Sequence, residues 1–155
     1  MKLNFGAGTD FKKDFDNIDK EDFDFNCFPY PIESDTYDYI YCNHVLEHLE
    51  RPELVLKELH RITKNGGIIE INVPHFNCEG AFSEVGHISF FSEYWFIYFV
   101  NPRGWEKRKE KFILISVNIT PTRFGRFIPK ELRRSLALLL RGIQSEMNVK
   151  LKVLK

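Results

Sequence analysis

The pattern of hydrophobic and polar residues divides the chain into short apolar runs separated by polar and glycine-containing stretches. Runs of strand length lie at residues 2–5, 15–18, 37–42, 68–73, 112–119 and 149–154. Four apolar residues recur at helical spacing after Pro52, namely Leu54, Val55, Leu59 and Ile62. The pair Gly66–Gly67 is predicted to end that helix, the run at 68–73 to be a buried strand ended by Pro74, and residues 129–142 to form a further helix. This alternation predicts an α/β fold.

The first predicted strand leads into a loop that contains two glycines, Gly6 and Gly8. Glycine adopts positive φ and lets a bound molecule approach the backbone, so such a loop after the first strand is typical of nucleotide sites. The second predicted strand ends at Ile18–Asp19, where a carboxylate can accept both hydroxyls of a ribose. Phe11 occupies the place of the third glycine in the dinucleotide fingerprint, which favours an adenosine ligand without phosphates.

Three later segments follow this loop in order, at Asp24–Pro31, Ser34–Leu49 and Lys64–Pro74. Together with the glycine loop they resemble the class I S-adenosylmethionine (SAM) dependent methyltransferases. The similarity is to the small methyltransferase-11-like branch that carries the H-V-L-E-H motif, here His44–His48, and it covers roughly residues 2 to 76. It implies a doubly wound, mostly parallel, seven-stranded Rossmann-like sheet with an antiparallel C-terminal hairpin.

The resemblance also implies a cofactor site for SAM, with S-adenosylhomocysteine as product and no metal. The expected cofactor-binding residues are Phe5, Gly6, Ala7, Gly8, Ile18, Asp19, Asp24, Phe25, Asn43 and His44. By this resemblance Gly6 and Gly8 face the methionine part and Asp19 binds the ribose. Asp24 and Phe25 lie by the adenine, while Asn43 and His44 edge the sulfonium pocket.

Two departures from the family pattern indicate a minimal version of the fold. Few residues separate Gly8 from the second strand, although a crossover between parallel strands normally takes a dozen or more. The chain also starts at the first strand, so N-terminal covering helices are expected to be lacking. We expect a single domain over 1–155, with a substrate-side lid at 76–104 that Gly80, Gly86 and Gly104 let move, and a basic part at 105–155. Four aromatic residues in the lid segment could equally form core or a dimer face, namely Tyr94, Trp95, Tyr98 and Phe99.

Methyl transfer to an O or N acceptor requires a nucleophile held in line with the methyl group and, for a hydroxyl or amine, removal of a proton. His44, His75 and His87 are the candidate bases, because each lies near a strand end or in the lid segment and imidazole titrates near neutrality. The alternative for each is a hydrogen-bonding histidine that shapes the pocket.

Two other functions compete with methyl transfer. His44–His48 also fits H-x-x-E-H, a zinc peptidase signature, with Glu110 or Glu131 as the third ligand. That hypothesis leaves the glycine loop, Asp19 and Asp24 without a role. The other competitor is a non-catalytic SAM-fold module that binds anions through its basic C-terminal part.

Charge is distributed unevenly over the 155 residues. Residues 1–100 carry 8 Lys+Arg against 18 Asp+Glu, and residues 101–155 carry 14 against 4. This asymmetry predicts an anionic partner for the C-terminal part, such as nucleic acid, an acidic glycan or small molecule, or a membrane surface, unless the two halves attract each other. Three cysteines without a C-x-x-C pair, and no signal or membrane-spanning run, predict a cytoplasmic protein. The aromatic lid segment predicts a homodimer.

Overall fold

The computed structural model describes residues 1–102 and 109–155. The strands are β1 (Lys2–Phe5), β2 (Asp16–Ile18), β3 (Tyr37–Asn43), β4 (Thr63–Pro74), β5 (Lys111–Pro121) and β6 (Gln144–Leu154). The helices are α1 (Pro52–Ile62), α2 (Gly80–Ser83), α3 (Glu93–Val100) and α4 (Lys130–Ala137), and single 3₁₀ turns lie at Leu46–His48 and Gly125–Phe127.

These strands form one mixed sheet in the order β2-β1-β3-β4-β6-β5. The first four strands in this order are parallel, whereas β6 runs antiparallel to both β4 and β5. The predicted Rossmann-like sheet with an antiparallel C-terminal hairpin is therefore confirmed. Among the described residues the sheet has six strands, so the expected count of seven was wrong.

The seventh expected strand would come between β2 and β3 along the chain. Residues 19–36 form turns and bends there instead. Two prolines in this segment, Pro29 and Pro31, lack the N–H that a ladder needs. The segment packs by aromatic contact rather than by strand pairing: Phe25 and Tyr30 lie with their ring centroids 4.1 and 5.7 Å from that of Phe5.

The connection from β1 to β2 contains no helix, in agreement with its predicted shortness. Two asparagine side chains satisfy its backbone instead. The Nδ2 of Asn4 donates to the Asp10 carbonyl and to Asn17 Oδ1, and that Oδ1 also accepts from the Lys12 amide. This network holds the loop in the place that a crossover helix would otherwise take.

The core lies against one face of the sheet. Ile69, Ile71 and Val73 of β4 are fully buried, whereas the alternating Glu70 and Asn72 are half-buried. The prediction of a buried strand is therefore confirmed for one face only, because the other face is polar and half-buried. Hydrogen bonds link the polar side chains across strands: Glu70 accepts from Tyr39 at 2.5 Å and from Asn148 at 2.8 Å.

Several predicted element boundaries differ from the structure. Helix α1 ends at Ile62 rather than at the glycine pair, because Thr63 already pairs with Tyr37 as the start of β4. Gly67 lies inside β4, where a Cβ would meet the side chain of Thr63 and the Asp38 carbonyl. Helix α4 covers Lys130–Ala137 instead of 129–142, and β6 starts five residues earlier than predicted, at Gln144.

The predicted lid segment packs onto the sheet in its described part, while Gly104 lies outside the described residues. Phe96 and Phe99 of α3 are buried, which confirms the core alternative for Phe99, whereas Tyr94 and Tyr98 are exposed. The amides of Ile88 and Ser89 donate to the Glu47 carbonyl at 2.8 and 2.9 Å. Within the described residues, no helix has the length and apolar character that a membrane crossing requires.

Candidate cofactor and catalytic site

A cavity of about 380 Å³ opens at the carboxyl ends of β1, β2 and β3. Nine residues line it, namely Gly6, Gly8, Asp19, Lys20, Phe25, His44, Val45, His48 and Leu49. Ligands of open α/β sheets bind outside the carboxyl ends of the strands, so this cavity lies where the topology favours binding.

The glycine loop shapes the floor of this cavity. Gly6 and Gly8 have φ values of +76° and +49°, a region in which an L side chain is strained. The amides of Gly6 and Ala7 both donate to the Ile18 carbonyl, at 2.8 and 3.0 Å, which ties the loop to the end of β2. A Cβ at Gly6 would overlap the side chain of Val45. The loop therefore lies so close to Val45 that only glycine fits at position 6.

Asp19 is held in place by backbone groups on both sides. Its Oδ2 accepts the Gly8 amide at 2.7 Å and its Oδ1 accepts the Lys20 amide at 2.9 Å. Its own amide donates to Asp22 Oδ2 at 2.8 Å. Each carboxylate oxygen keeps a second lone pair, so the group can still accept hydroxyls from a ligand. The cavity, the glycine floor and this oriented carboxylate fit the adenosine part of SAM.

The structure separates the ten expected cofactor residues into three groups. Gly6, Gly8, Asp19, Phe25 and His44 line the cavity. Phe5, Ala7 and Ile18 lie behind it, in or against the hydrophobic core.

Asp24 and Asn43 form the third group, because neither lines the cavity. The oxygens of Asp24 accept from the Asn26 amide and the Cys27 thiol, and Asn43 Oδ1 accepts from the Tyr41 hydroxyl at 3.2 Å. Four lining residues had not been assigned to the cofactor, namely Lys20, Val45, His48 and Leu49. The last three belong to the segment Ser34–Leu49, in which Asn43 and His44 had been assigned.

His44 is oriented by a buried carboxylate. It follows β3 with φ +53°, a strained value for a non-glycine residue, and its amide donates to the Asn72 carbonyl. Its Nδ1 lies 3.0 Å from Oε1 of Glu47, a residue that is 1% exposed and whose Oε2 has no hydrogen-bond partner among the described residues. This hydrogen bond raises the pKa of His44, and the charges of Glu146 and Glu84 add to the effect.

His75 occupies a different environment from the other two candidate bases. It is fully buried, its Nε2 lies 3.1 Å from Glu93 Oε2, and its Nδ1 accepts the Asn77 amide at 3.2 Å. The hydrogen bond from His75 lowers the pKa of Glu93, with Arg134 nearby. Because both ring nitrogens are engaged inside the protein, the geometry favours a structural role for His75.

His87 lies beside His48, with the ring centroids 4.7 Å apart. Its Nδ1 contacts the Ala81 carbonyl and its Nε2 lies 3.2 Å from Glu84 Oε2. Among the described residues, Glu47, His48 and His87 are the three groups close enough to share a cation. This set differs from the H-x-x-E-H zinc arrangement, in which His44 and His48 are the ligands, and it includes neither Glu110 nor Glu131.

The six-stranded mixed sheet with a glycine-floored cavity at its carboxyl edge defines a Rossmann-like α/β protein with a ligand site at the strand ends. The methyltransferase-domain family matches residues 6–115, and the chain belongs to that family. The methyltransferase domain agrees with the predicted resemblance. A search of curated proteins found no match.

Solved structures with the same fold agree with this assignment. A SAM-dependent methyltransferase from Archaeoglobus fulgidus matches with a TM-score of 0.60 at 14% identity, over 97% of this chain and 85% of that one. A SAM-dependent methyltransferase from Mesorhizobium loti gives 0.61 at 11% identity, over 97% and 89%. A chain from the complex between the Haloferax volcanii Trm112 methyltransferase activator and a methyltransferase gives 0.61 at 13% identity, over 99% and 82%.

Proposed function

We propose that this protein binds SAM in the cavity at the carboxyl edge of the sheet and transfers its methyl group to an O or N atom of an acceptor. The oriented Asp19 carboxylate above the glycine floor carries this proposal. Gly6 and Gly8 would lie against the methionine part, Asp19 would accept the ribose hydroxyls, and Phe25 would pack against the adenine. Bound SAM supplies both the activated methyl group and its own leaving group.

The chain's contribution to the reaction is then to position the acceptor and to accept its proton. Among the three candidate bases, His44 lines the cavity and has one nitrogen held by Glu47. In the neutral ring, an Nδ1–H that donates to Glu47 leaves the lone pair on Nε2. In the described part of the chain, the nearest charged group to Nε2 is Glu146, whose Oε1 is 3.6 Å away and so beyond hydrogen-bond distance. Nε2 of His44 would therefore take the proton of the acceptor.

The Glu47→Gln substitution tests this arrangement without an acceptor. We expect the pKa of His44 to fall in this variant, because the hydrogen bond to Glu47 is the main cause of its upward shift. The measurement is a titration of the His44 ring protons by nuclear magnetic resonance. A raised pKa in the folded state means that the pair stabilises the fold fully below the unfolded value near 6.5 and loses this contribution as the pH rises through the folded value.

Glu84→Gln is the matched control for Glu47→Gln. It removes a more distant and exposed carboxylate, so the pKa of His44 should fall less than in Glu47→Gln. Equal shifts in the two variants, or none in either, would contradict the proposed role of Glu47.

Calorimetric titration with SAM and S-adenosylhomocysteine tests the proposed cofactor. We expect both to bind with micromolar dissociation constants, and adenosine alone to bind more weakly because it lacks the methionine part. Absence of heat with SAM and with S-adenosylhomocysteine, on protein that is folded by circular dichroism, would count against the proposed function.

We further propose that residues 1–155 act as one methyltransferase domain in the cytoplasm. The lid segment contacts the cavity wall, since Gly86 O lies 3.0 Å from Nδ1 of the lining residue His48, and this supports a single domain. The free thiols of Cys27, Cys42 and Cys78 are consistent with the cytoplasm. For the basic C-terminal part we propose an anionic acceptor or partner.

A homodimer is proposed on the basis of the edge strand β5. This strand is eleven residues long, is bonded only to β6 in the described part of the chain, and exposes Ile113 and Ile115. Exposed apolar edge strands are templates for pairing with another chain. We expect sedimentation at micromolar concentration to give a dimer, and a single monomeric species would contradict this expectation.

A further inference from the structure

The connection between β5 and β6 lies at the end of the sheet where the cofactor cavity opens. Pro121 at the end of β5 pairs with Gln144 at the start of β6, and Glu146 pairs with Pro74 at the carboxyl end of β4. Glu146 also comes within 3.6 Å of His44, which lines the cavity. Residues 122–143 are therefore on the same edge of the molecule as the proposed cofactor site.

Large apolar side chains on this connection are exposed. Phe127 is 85% and Leu139 82% exposed. The exposed apolar set in the connection is Phe124, Phe127, Leu132, Leu138, Leu139 and Leu140. Contiguous exposed apolar residues on a protein surface mark a binding site.

Cations alternate with these apolar residues. The stretch 123–141 contains one acidic residue, Glu131, and six basic ones, namely Arg123, Arg126, Lys130, Arg133, Arg134 and Arg141. Arg134 pairs with Glu93, whereas Arg123, Arg126 and Lys130 are exposed. We call the exposed side chains of residues 123–141 the basic apolar surface.

A buried asparagine fixes the outward position of the leucines. Asn77 is 2% exposed, and its Nδ2 donates to the carbonyls of Ala137 and Leu140 at 2.9 and 2.7 Å. Its Oδ1 accepts the amides of Ile143 and Gln144 at 2.8 and 3.0 Å. Because all these groups are satisfied, residues 138–140 are held with their side chains directed away from the core.

We propose that the basic apolar surface attaches the protein to an anionic membrane surface, with the cofactor edge of the sheet facing the bilayer. An anionic bilayer interface offers negative headgroups to the cations and an apolar layer to the phenylalanine and leucine side chains. A nucleic acid would match the cations and leave the leucines in water. A second copy of the chain on the same face would bring like charges together. The attachment stands without the proposed function, whereas the methylation of an acceptor carried on the membrane rests on it.

Vesicle co-sedimentation of the full chain tests the attachment. The probes are vesicles of phosphatidylcholine alone and vesicles of phosphatidylcholine mixed with phosphatidylglycerol. We expect binding to the mixed vesicles only, and a loss of most binding at about 0.5 M NaCl, because salt screens the attraction between the cations and the headgroups.

Two variants separate the contributions of charge and apolar contact. Arg123→Gln with Arg126→Gln and Lys130→Gln should lower partitioning to mixed vesicles by about tenfold to a hundredfold. Phe127→Ser with Leu139→Ser should lower it by at least about tenfold, since both side chains leave the apolar layer. Phe11→Ser is the matched control. Phe11 is 72% exposed and lies in the β1–β2 loop, at the opposite end of the strand order from β5 and β6, so partitioning should not change.

SAM titration on the same samples keeps the attachment and the proposed function distinguishable, since both surface variants should bind SAM like the wild type. The attachment is overturned if the wild type does not bind mixed vesicles, or if the apolar variant binds them as well as the wild type does. It is also overturned if the protein binds duplex RNA and does not bind vesicles. A change of oligomeric state in the surface variants, with vesicle binding unchanged, would overturn it as well.

Discussion

Asp19→Ala is expected to weaken SAM binding by about a hundredfold or more. The substitution removes an ionised acceptor that would hold two ribose hydroxyls, and each hydrogen bond to a charged group contributes about 1.5–3 kcal/mol. It also leaves the amides of Gly8 and Lys20 without the carboxylate that accepts from them, so the cavity floor loses one of its ties to the end of β2. Calorimetric titration with SAM measures the change directly.

The comparison with Glu21→Gln isolates the position of the lost charge. Glu21 is exposed, belongs to the same turn and does not line the cavity, so its substitution should leave the SAM affinity unchanged. Asp19→Asn keeps the shape of the side chain and one carbonyl acceptor, and we expect an intermediate loss. An Asp19→Ala variant that binds SAM within about threefold of the wild type would refute the assigned ribose contact.

Gly6→Ala is expected to destabilise the fold by about 2–5 kcal/mol and to abolish detectable SAM binding. A left-handed backbone costs an alanine about 1–2 kcal/mol, and forcing extra volume into a packed site costs about 1–3 kcal/mol more. The positive φ of Gly6 imposes the first cost, and the overlap of its Cβ with Val45 imposes the second. SAM binding is lost because the overlap displaces Val45, which lines the cavity. Thermal unfolding followed by circular dichroism measures the stability, and calorimetric titration measures the binding.

Gly8→Ala provides the matched comparison for Gly6→Ala. Gly8 also has positive φ, but a Cβ there would meet only Asp19 Oδ2, at 3.9 Å. We therefore expect a loss of only about 1–2 kcal/mol of stability from the backbone conformation, together with weaker SAM binding. Equal destabilisation by the two alanines would show that contact with Val45 is not what restricts position 6 to glycine.

The glycine loop and the carboxylate of the proposed cofactor site could be located because their signals are local in the sequence. A glycine loop after the first strand and an acidic residue after the second are placed by strand geometry alone, and the structure brings Gly6, Gly8 and Asp19 together at the sheet edge. The antiparallel C-terminal hairpin was implied by the family resemblance, and it is confirmed.

The errors arose where long-range packing decides the outcome. The expected strand between β2 and β3 gives way to turns, because the aromatic side chains of this segment are buried around Phe5. The glycine pair after α1 lies within β4, since pairing of Thr63 with Tyr37 ends the helix first. Neither contact has a signature in the neighbouring sequence.

The histidines show the same division between local and tertiary information. His44, His75 and His87 are equivalent from the sequence, because each follows an apolar run or lies among aromatic residues. Their environments differ only in the folded chain, where His44 lines the cavity beside buried Glu47, His75 is sealed against Glu93, and His87 lies against His48.

The sequence by itself determined the α/β class, the methyltransferase resemblance, the glycine loop with its carboxylate, and the charge asymmetry between the two halves. These features depend on residue identity and spacing over a few positions, which the printed order of residues contains. Tertiary structure alone decided the number of strands, the polar second face of the sheet, the separation of the three histidines, and the display of residues 123–141 at the cofactor edge. Each of these depends on contacts between residues far apart in the chain, such as Asn77 with Ala137 and Leu140, whose partners are selected only when the core is assembled.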